Sequence, residues 1–169
     1  NEELASAQGI SARAASSEAN SSGAVYIQTN QASGNEVLVY ARSSNGSLAP
    51  DGSFVTGGAG TGAGLGSQGA VILHEFAGSN YLYAVNAGSN EVTAFRVNGN
   101  ALTWVDKVSS HGTTPISVTT HNDLLYVVNT GGSGNISGFH IGADGHLTYR
   151  ENSTKSLSDN NAGPAQIQF

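Results

Sequence analysis

Apolar and polar residues alternate along most of this chain in short runs, and the runs recur. Val25-Tyr26-Ile27-Gln28-Thr29-Asn30, Leu82-Tyr83-Ala84-Val85-Asn86 and Leu125-Tyr126-Val127-Val128-Asn129 share an apolar-Tyr-apolar-x-Asn pattern. A turn with Gly or Asn follows each (Gly34-Asn35, Ser89-Asn90, Gly134-Asn135), and then a second alternating run: Val37-Leu38-Val39-Tyr40, Val92-Thr93-Ala94-Phe95 and Ile136-Ser137-Gly138-Phe139. A tight turn and a leucine close each unit, at Asn45-Gly46-Ser47-Leu48, Asn98-Gly99-Asn100-Ala101-Leu102 and Asp144-Gly145-His146-Leu147. Alternation with a period of two predicts half-buried strands. A repeat of roughly 45 residues built from short strands predicts propeller blades. One blade cannot bury both of its faces, so each needs a neighbour on either side.

With turn residues as boundaries, strands are predicted at 24–30, 36–42 and 47–55, then 69–76, 80–86, 91–97 and 101–108, then 115–120, 123–129, 135–142 and 146–152. A last strand is predicted at 164–169. The fold class is therefore all-β, a propeller of about three four-stranded blades over 23–169. The first set lacks an innermost strand, whereas the chain closes on an innermost strand with no followers. Rings form from about four to eight blades, so three do not close. Exposed edges recruit other strands. Two outcomes follow: a part of a longer propeller, or head-to-tail insertion of 164–169 beside 24–30 of a neighbouring molecule, giving a ring or a filament. Val25, Ile27, Ile167 and Phe169 are the expected assembly edges.

Composition narrows the classes. The 11% of charged residues and 23 glycines fit a turn-rich β protein, and the ordered alternation argues against disorder. Net charge is −6, and Arg13, Arg42, Arg96, Lys107, Arg150 and Lys155 stand singly, so no basic stripe offers itself to a nucleic acid. There is no cysteine, which excludes disulfides, thiolate metal sites and thiol nucleophiles. No apolar run approaches the ~20 residues of a membrane-spanning helix. The chain opens at Asn1 without Met and reads as a processed or trimmed product. Residues 1–22, rich in Ala, Ser and Glu and without alternation, read as an N-terminal arm, either a loose terminal tail throughout or one with a short helix from Glu2 to Ala15. Residues 57–69 are a glycine-rich inter-blade loop. The G-x-G-x-x-G match at Gly64 to Gly69 follows no strand and opens no helix, so it is not a dinucleotide loop.

Gly23-Ala24-Val25-Tyr26, Thr29-Asn30, Ser67-Gln68-Gly69-Ala70-Val71, Val85-Asn86-Ala87-Gly88-Ser89-Asn90 and Val108-Ser109-Ser110-His111-Gly112 with Pro115 carry a family resemblance. The chain resembles the N-terminal blades of the lactonase-type seven-bladed propellers, in the branch of secreted fungal carboxymuconate cyclase-like proteins. The resemblance implies an extracellular protein and chemistry on a lactone or an unsaturated dicarboxylate. In the enzymes of that family His, Glu and Arg surround a central funnel, the histidine coming from a Gly-Pro-His-x-His motif. The matching stretch here is Gly163-Pro164-Ala165-Gln166. Alanine and glutamine cannot replace a neutral imidazole as base, so no catalytic residue is carried across and the chain alone is expected to be inactive.

The remaining polar residues yield weaker candidates. Ser117 and Gln166 stand two residues after Pro115 and Pro164 and are expected to face the funnel, where His111 approaches its mouth. Neither Ser117 nor Gln166 is a nucleophile without a positioned base. His74, His111, His121, His140 and His146 lack the spacings of helical metal sites, and no metal or cofactor is expected. His140 and His146 flank a hairpin and are candidates for mutual approach. Asn30, Asn86 and Asn129 read as hydrogen-bonding residues at strand ends. Asn20, Asn45, Asn135 and Asn152 fall in N-x-[ST] contexts and are glycosylation candidates. Three functions are thereby open: a non-catalytic propeller module that associates through blade edges, a cyclase or lactone-hydrolase fragment active only with further blades, and a propeller that binds glycans or cell wall through its loop tips.

Overall fold

The computed structural model describes residues 21–159 and 162–169; the candidate helix Glu2 to Ala15 and the Asn20 sequon lie outside them. The alternating runs fold as three antiparallel sheets. The first holds β1 (Ser21–Gln28), β2 (Glu36–Ser43) and β3 (Leu48–Val55) in that order. The second holds β4 (Val71–Phe76), β5 (Ser79–Asn86), β6 (Glu91–Asn98) and β7 (Ala101–Ser109). The third runs β8 (Pro115–His121), β9 (Leu124–Asn129), β10 (Asn135–Ile141) and β11 (Leu147–Tyr149), with β12 (Lys155–Ser156) also on β10. Hairpins close on Gly46 (φ 87) and Gly145 (φ 90), where glycine accepts a left-handed conformation that other residues resist.

The sheets stack face to face, and strand parity decides which side chain meets which neighbour. On β5, Leu82 and Ala84 join Phe95 and Leu102 against Val37 and Val39 of the first blade. The alternate residues Tyr81, Tyr83 and Val85, with Val92 and Ala94, pack against Leu125, Val127, Phe139, Ile141 and Leu147 of the third. Consequently Tyr81 to Asn86 are buried without a break, whereas β2 shows the alternating burial of a sheet covered on one side only. Each fully buried side chain of this size contributes ~1.5–3 kcal/mol.

Three sequence expectations need correction. The strand expected over 146–152 shortens to β11, with β12 resuming the pairing beyond it, because Ser153 Oγ accepts from Gly138 N (2.9 Å) and donates to Gly138 O (3.1 Å), displacing the outer ladder. The first two blades carry a register shift at the corresponding place, between Val39/Tyr40 and between Ala94/Phe95. Residues 164–169 form no ladder: Ala165 O accepts from Gln68 N at 3.1 Å, Ile167 N donates to Ser117 Oγ at 3.3 Å, and the segment follows β8, not β1. The first sheet accordingly keeps three strands. Finally, Thr29 is the true counterpart of Asn86 and Asn129, since Thr29 N donates to Glu36 O as the ladder ends. Asn30 sits one residue later in a turn (φ 52) and holds the glycine-rich loop through Thr61 and Ala63.

Tyr83 carries a buried hydroxyl with no hydrogen-bond partner among the described residues, and burial together with neighbouring Tyr81 pushes its phenol well above the ordinary 10.0. Its folded value is raised, so the neutral phenol's contribution is complete below about pH 10 and is lost as pH rises through the folded value. Tyr83→Phe removes no hydrogen bond. Denaturant titrations should show its stability at neutral pH equal to or above the parent's, with a smaller decline above about pH 10. A marked loss at neutral pH would show that the hydroxyl has a structural partner.

Candidate functional site

The innermost strands β4 and β8 line the axis side of the stack, joined where Val118 N donates to Gly69 O at 2.8 Å. Ser117 is wholly buried there, its hydroxyl taken by Ile167 N. Gln166 is exposed and helps to line a shallow hollow of about 270 Å³ with Gly69, Ile72, Thr119, Thr120 and Gln168. No titratable side chain borders that hollow. Hydroxyls and amides can orient a polar ligand by hydrogen bonds, but nothing in this lining takes a proton near neutral pH.

Of the three residues expected to face the funnel, only Gln166 lines the hollow: Ser117 lies buried behind Ile167, and His111 is elsewhere. Its ring stacks on Tyr149 of β11 (centroids 3.7 Å apart, 15° between planes) and tilts against Phe139 at 5.9 Å. The strained loop residue (φ 54) aims the imidazole toward the outer strands, so the expectation of a funnel-facing His111 is replaced by an aromatic packing role. Sequence could not show this, because Tyr149 lies far along the chain and meets His111 only through blade curvature. His140 and His146 do not pair with each other: His140 Nδ1 lies 3.0 Å from Asp123, and His146 Nδ1 3.2 Å from Asp144. The His146 backbone N–H, donating to Asp144, holds that exposed carboxyl below its usual range. Among the described residues no three His, Asp or Glu side chains converge as a metal site would require.

A second concavity, about 670 Å³, opens between β1 and the second blade, lined by Tyr26, Leu73, Asn80 and Val97 among others. It lies beside the axis-side edge of β1, to which no strand is paired among the described residues. Leu73, on the innermost strand of the second blade, is 55% exposed here. Val25 and Ile27 are exposed on the outer face of the first blade, Ile167 is half-buried over Ser117, and Phe169 leans on His121 and Tyr126 at 5.3 and 5.6 Å.

The sequons differ in setting. Asn45 stands in an exposed hairpin turn, where its Oδ1 accepts from Ser47 N. Asn152 is exposed in the turn that splits the outer strand. The Asn135 amide is engaged at both ends, donating to His111 O (3.1 Å) and accepting from Asn129 Nδ2 (2.7 Å).

Comparison with known proteins agrees with this architecture. The family model described as lactonase, 7-bladed beta-propeller matches residues 35–158. A solved protein of unknown function from Desulfotomaculum acetoxidans DSM 771 superposes with a TM-score of 0.60 at 15% identity, over 84% of this chain and 42% of that one. The periplasmic gluconolactonase PpgL of Pseudomonas aeruginosa superposes with a TM-score of 0.55 at 23% identity, over 81% of this chain and 36% of its own. The chain thus spans less than half the length of either structure. No curated protein matches it.

Proposed function

This chain belongs to the lactonase seven-bladed β-propeller family, and on that premise we propose that it is a non-catalytic module of three N-terminal-type blades that works by joining other blade edges. The observation that carries the reading is that β1 is a sheet edge with no strand on its axis side among the described residues, together with an axis hollow that has no acid or base in its lining. A strand whose backbone groups face open space is a template for another strand. Hydroxyl and amide groups alone do not supply the proton transfers that opening or closing a lactone requires.

Within the family, Ser67 to Val71 and Val85 to Asn90 support the fungal carboxymuconate cyclase-like branch. The exposed sequon asparagines Asn45 and Asn152 support a secreted glycoprotein. One structural neighbour is periplasmic by its own description, which accords with work outside the cytoplasm. A second reading, a lactone hydrolase completed by further blades, is favoured by the family's name and by the gluconolactonase among the neighbours.

Acid release from gluconolactone and from a muconolactone separates the two. The purified chain should release acid at the spontaneous rate, unchanged in Ser117→Ala. Turnover above background that Ser117→Ala abolishes would replace the non-catalytic reading.

A further inference from the structure

The described residues contain seven exposed large apolar side chains, and four of them, Val25, Ile27, Leu48 and Val55, share the outer face of the first blade. Half-buried Leu38 and Tyr40 lie between them, opposite Ile27 and Val25 in the ladder. Glu36 opposite Val55 and Arg42 opposite Leu48 border this face, and exposed apolar side chains rimmed by polar residues mark an interaction site.

The repeat identifies what fits it. Val25 opposes Tyr40 and Leu48 opposes Arg42 in the first blade. Leu82 opposes Phe95 and Leu102 opposes Val97 in the second. Leu125 opposes Phe139 and Leu147 opposes Ile141 in the third. By register, then, Val25, Ile27, Tyr40 and Leu48 are the positions filled by Leu82, Ala84, Phe95 and Leu102, and by Leu125, Val127, Phe139 and Leu147. Both of the latter sets are buried, each under the opposite face of the preceding blade. That covering face is Tyr26, Val37 and Val39 in one interface and Tyr83, Val85, Val92 and Ala94 in the other. On the third blade the same positions are Tyr126, Val128, Ile136 and Gly138; Val128 and Gly138 are buried, Tyr126 and Ile136 half-buried, and exposed Phe169 rests against Tyr126.

Resting on the association reading above, we propose that the outer face of the first blade receives the outer face of the third blade of a second copy, head to tail. The contact repeats the chemistry of the two internal interfaces. It also explains the terminal segment. Residues 164–169 follow the third blade, so in a docked pair they emerge beside the partner's β1, which has no innermost strand among the described residues. Pro164, Gln166 and Ile167 then take the places that Pro115, Ser117 and Val118 hold in β8. A head-to-tail contact is heterologous, so it closes as a ring or extends as a filament.

The natural absence of cysteine makes a clean test possible. Packed sheets lie about 10 Å apart, beyond disulfide reach, so a short bis-maleimide is the appropriate linker. Chains carrying Tyr40→Cys and Tyr126→Cys, each checked for a parental circular dichroism spectrum, are mixed and cross-linked. Cross-linked dimers are expected in the mixture and not in either variant alone. By light scattering the unmodified chain should show at least twice its 17.1 kDa mass, and Ile27→Asp, at an exposed position, should return it to one chain. Tyr40→Cys dimers formed alone would replace this mode with a face-to-face dimer. A single-chain mass for the parent at tens of micromolar would overturn the docking. Lactone turnover bears only on the non-catalytic reading, so the two fail separately.

Discussion

Gly88→Ala is expected to destabilise the fold by about 3 kcal/mol or more, because the added methyl has only backbone to meet. A Cβ on Gly88 would lie 2.1 Å from Gly60 O and 2.8 Å from Gly60 C. Gly60 cannot yield, since its own Cα side is pressed against Asn30, where a Cβ would come within 2.1 Å of the carbonyl carbon. Hydrogen bonds hold the three backbones in this stack: Gly60 N donates to Gln31 O (2.8 Å) and Gly88 N to Ala59 O (2.9 Å). The glycine-rich loop is thus a spacer clamped between the first and second blades. Thermal unfolding should fall by about 6–12 °C, at ~2–4 °C per kcal/mol for a chain of this size. Gly64→Ala is the control, with nothing within 4 Å of its Cβ, and should melt with the parent. Equal melting of Gly88→Ala and the parent would show that the clamp is loose.

Asn86→Leu should cost about 3–6 kcal/mol despite its similar volume. Asn86 Oδ1 accepts from Asn35 Nδ2 at 3.0 Å and from Thr56 Oγ1 at 2.7 Å, and its Nδ2 donates to Thr93 Oγ1 at 2.8 Å. Thr93 Oγ1 in turn donates to Thr56 O at 3.0 Å. All four residues are essentially inaccessible. Leucine leaves three buried polar groups without that partner, at ~1–3 kcal/mol each before relaxation. Urea titration should show a lower midpoint with an unchanged slope. Thr56→Val in the Asn86→Leu background should cost less than it does alone, because the two share one network. Additive losses would show that Asn86 and Thr56 act separately.

The two substitutions probe different halves of one joint, and sequence alone reads only part of it. The pattern apolar-Tyr-apolar-x-Asn marks Asn86 and Asn129 as special because the repeat returns them to the same ladder end. It misaligns the first copy by one residue, since Thr29, not Asn30, ends that ladder. Nothing local marks Asn35 as the partner that crosses to the second blade. That contact depends on how far one sheet is displaced relative to the next. The two positions after proline, Ser117 and Gln166, read alike in the sequence, yet the structure buries Ser117 and leaves Gln166 at the hollow. The stacking of His111 on Tyr149 was not, because it requires a loop and an outer strand to meet across the third blade.

Alternation, turn glycines and repetition by themselves determined the strands, their antiparallel order and which side chains share a face. These are properties of a two-residue period and of short hairpins, so neighbouring residues suffice to set them. Only the tertiary structure decided which faces are covered, where the outer strand breaks at Ser153, and that 164–169 lies along β8, so that among the described residues β1 keeps a free axis-side edge. Those outcomes come from rigid sheets packing at one displacement and angle, a balance among groups distant in the chain that no local pattern encodes.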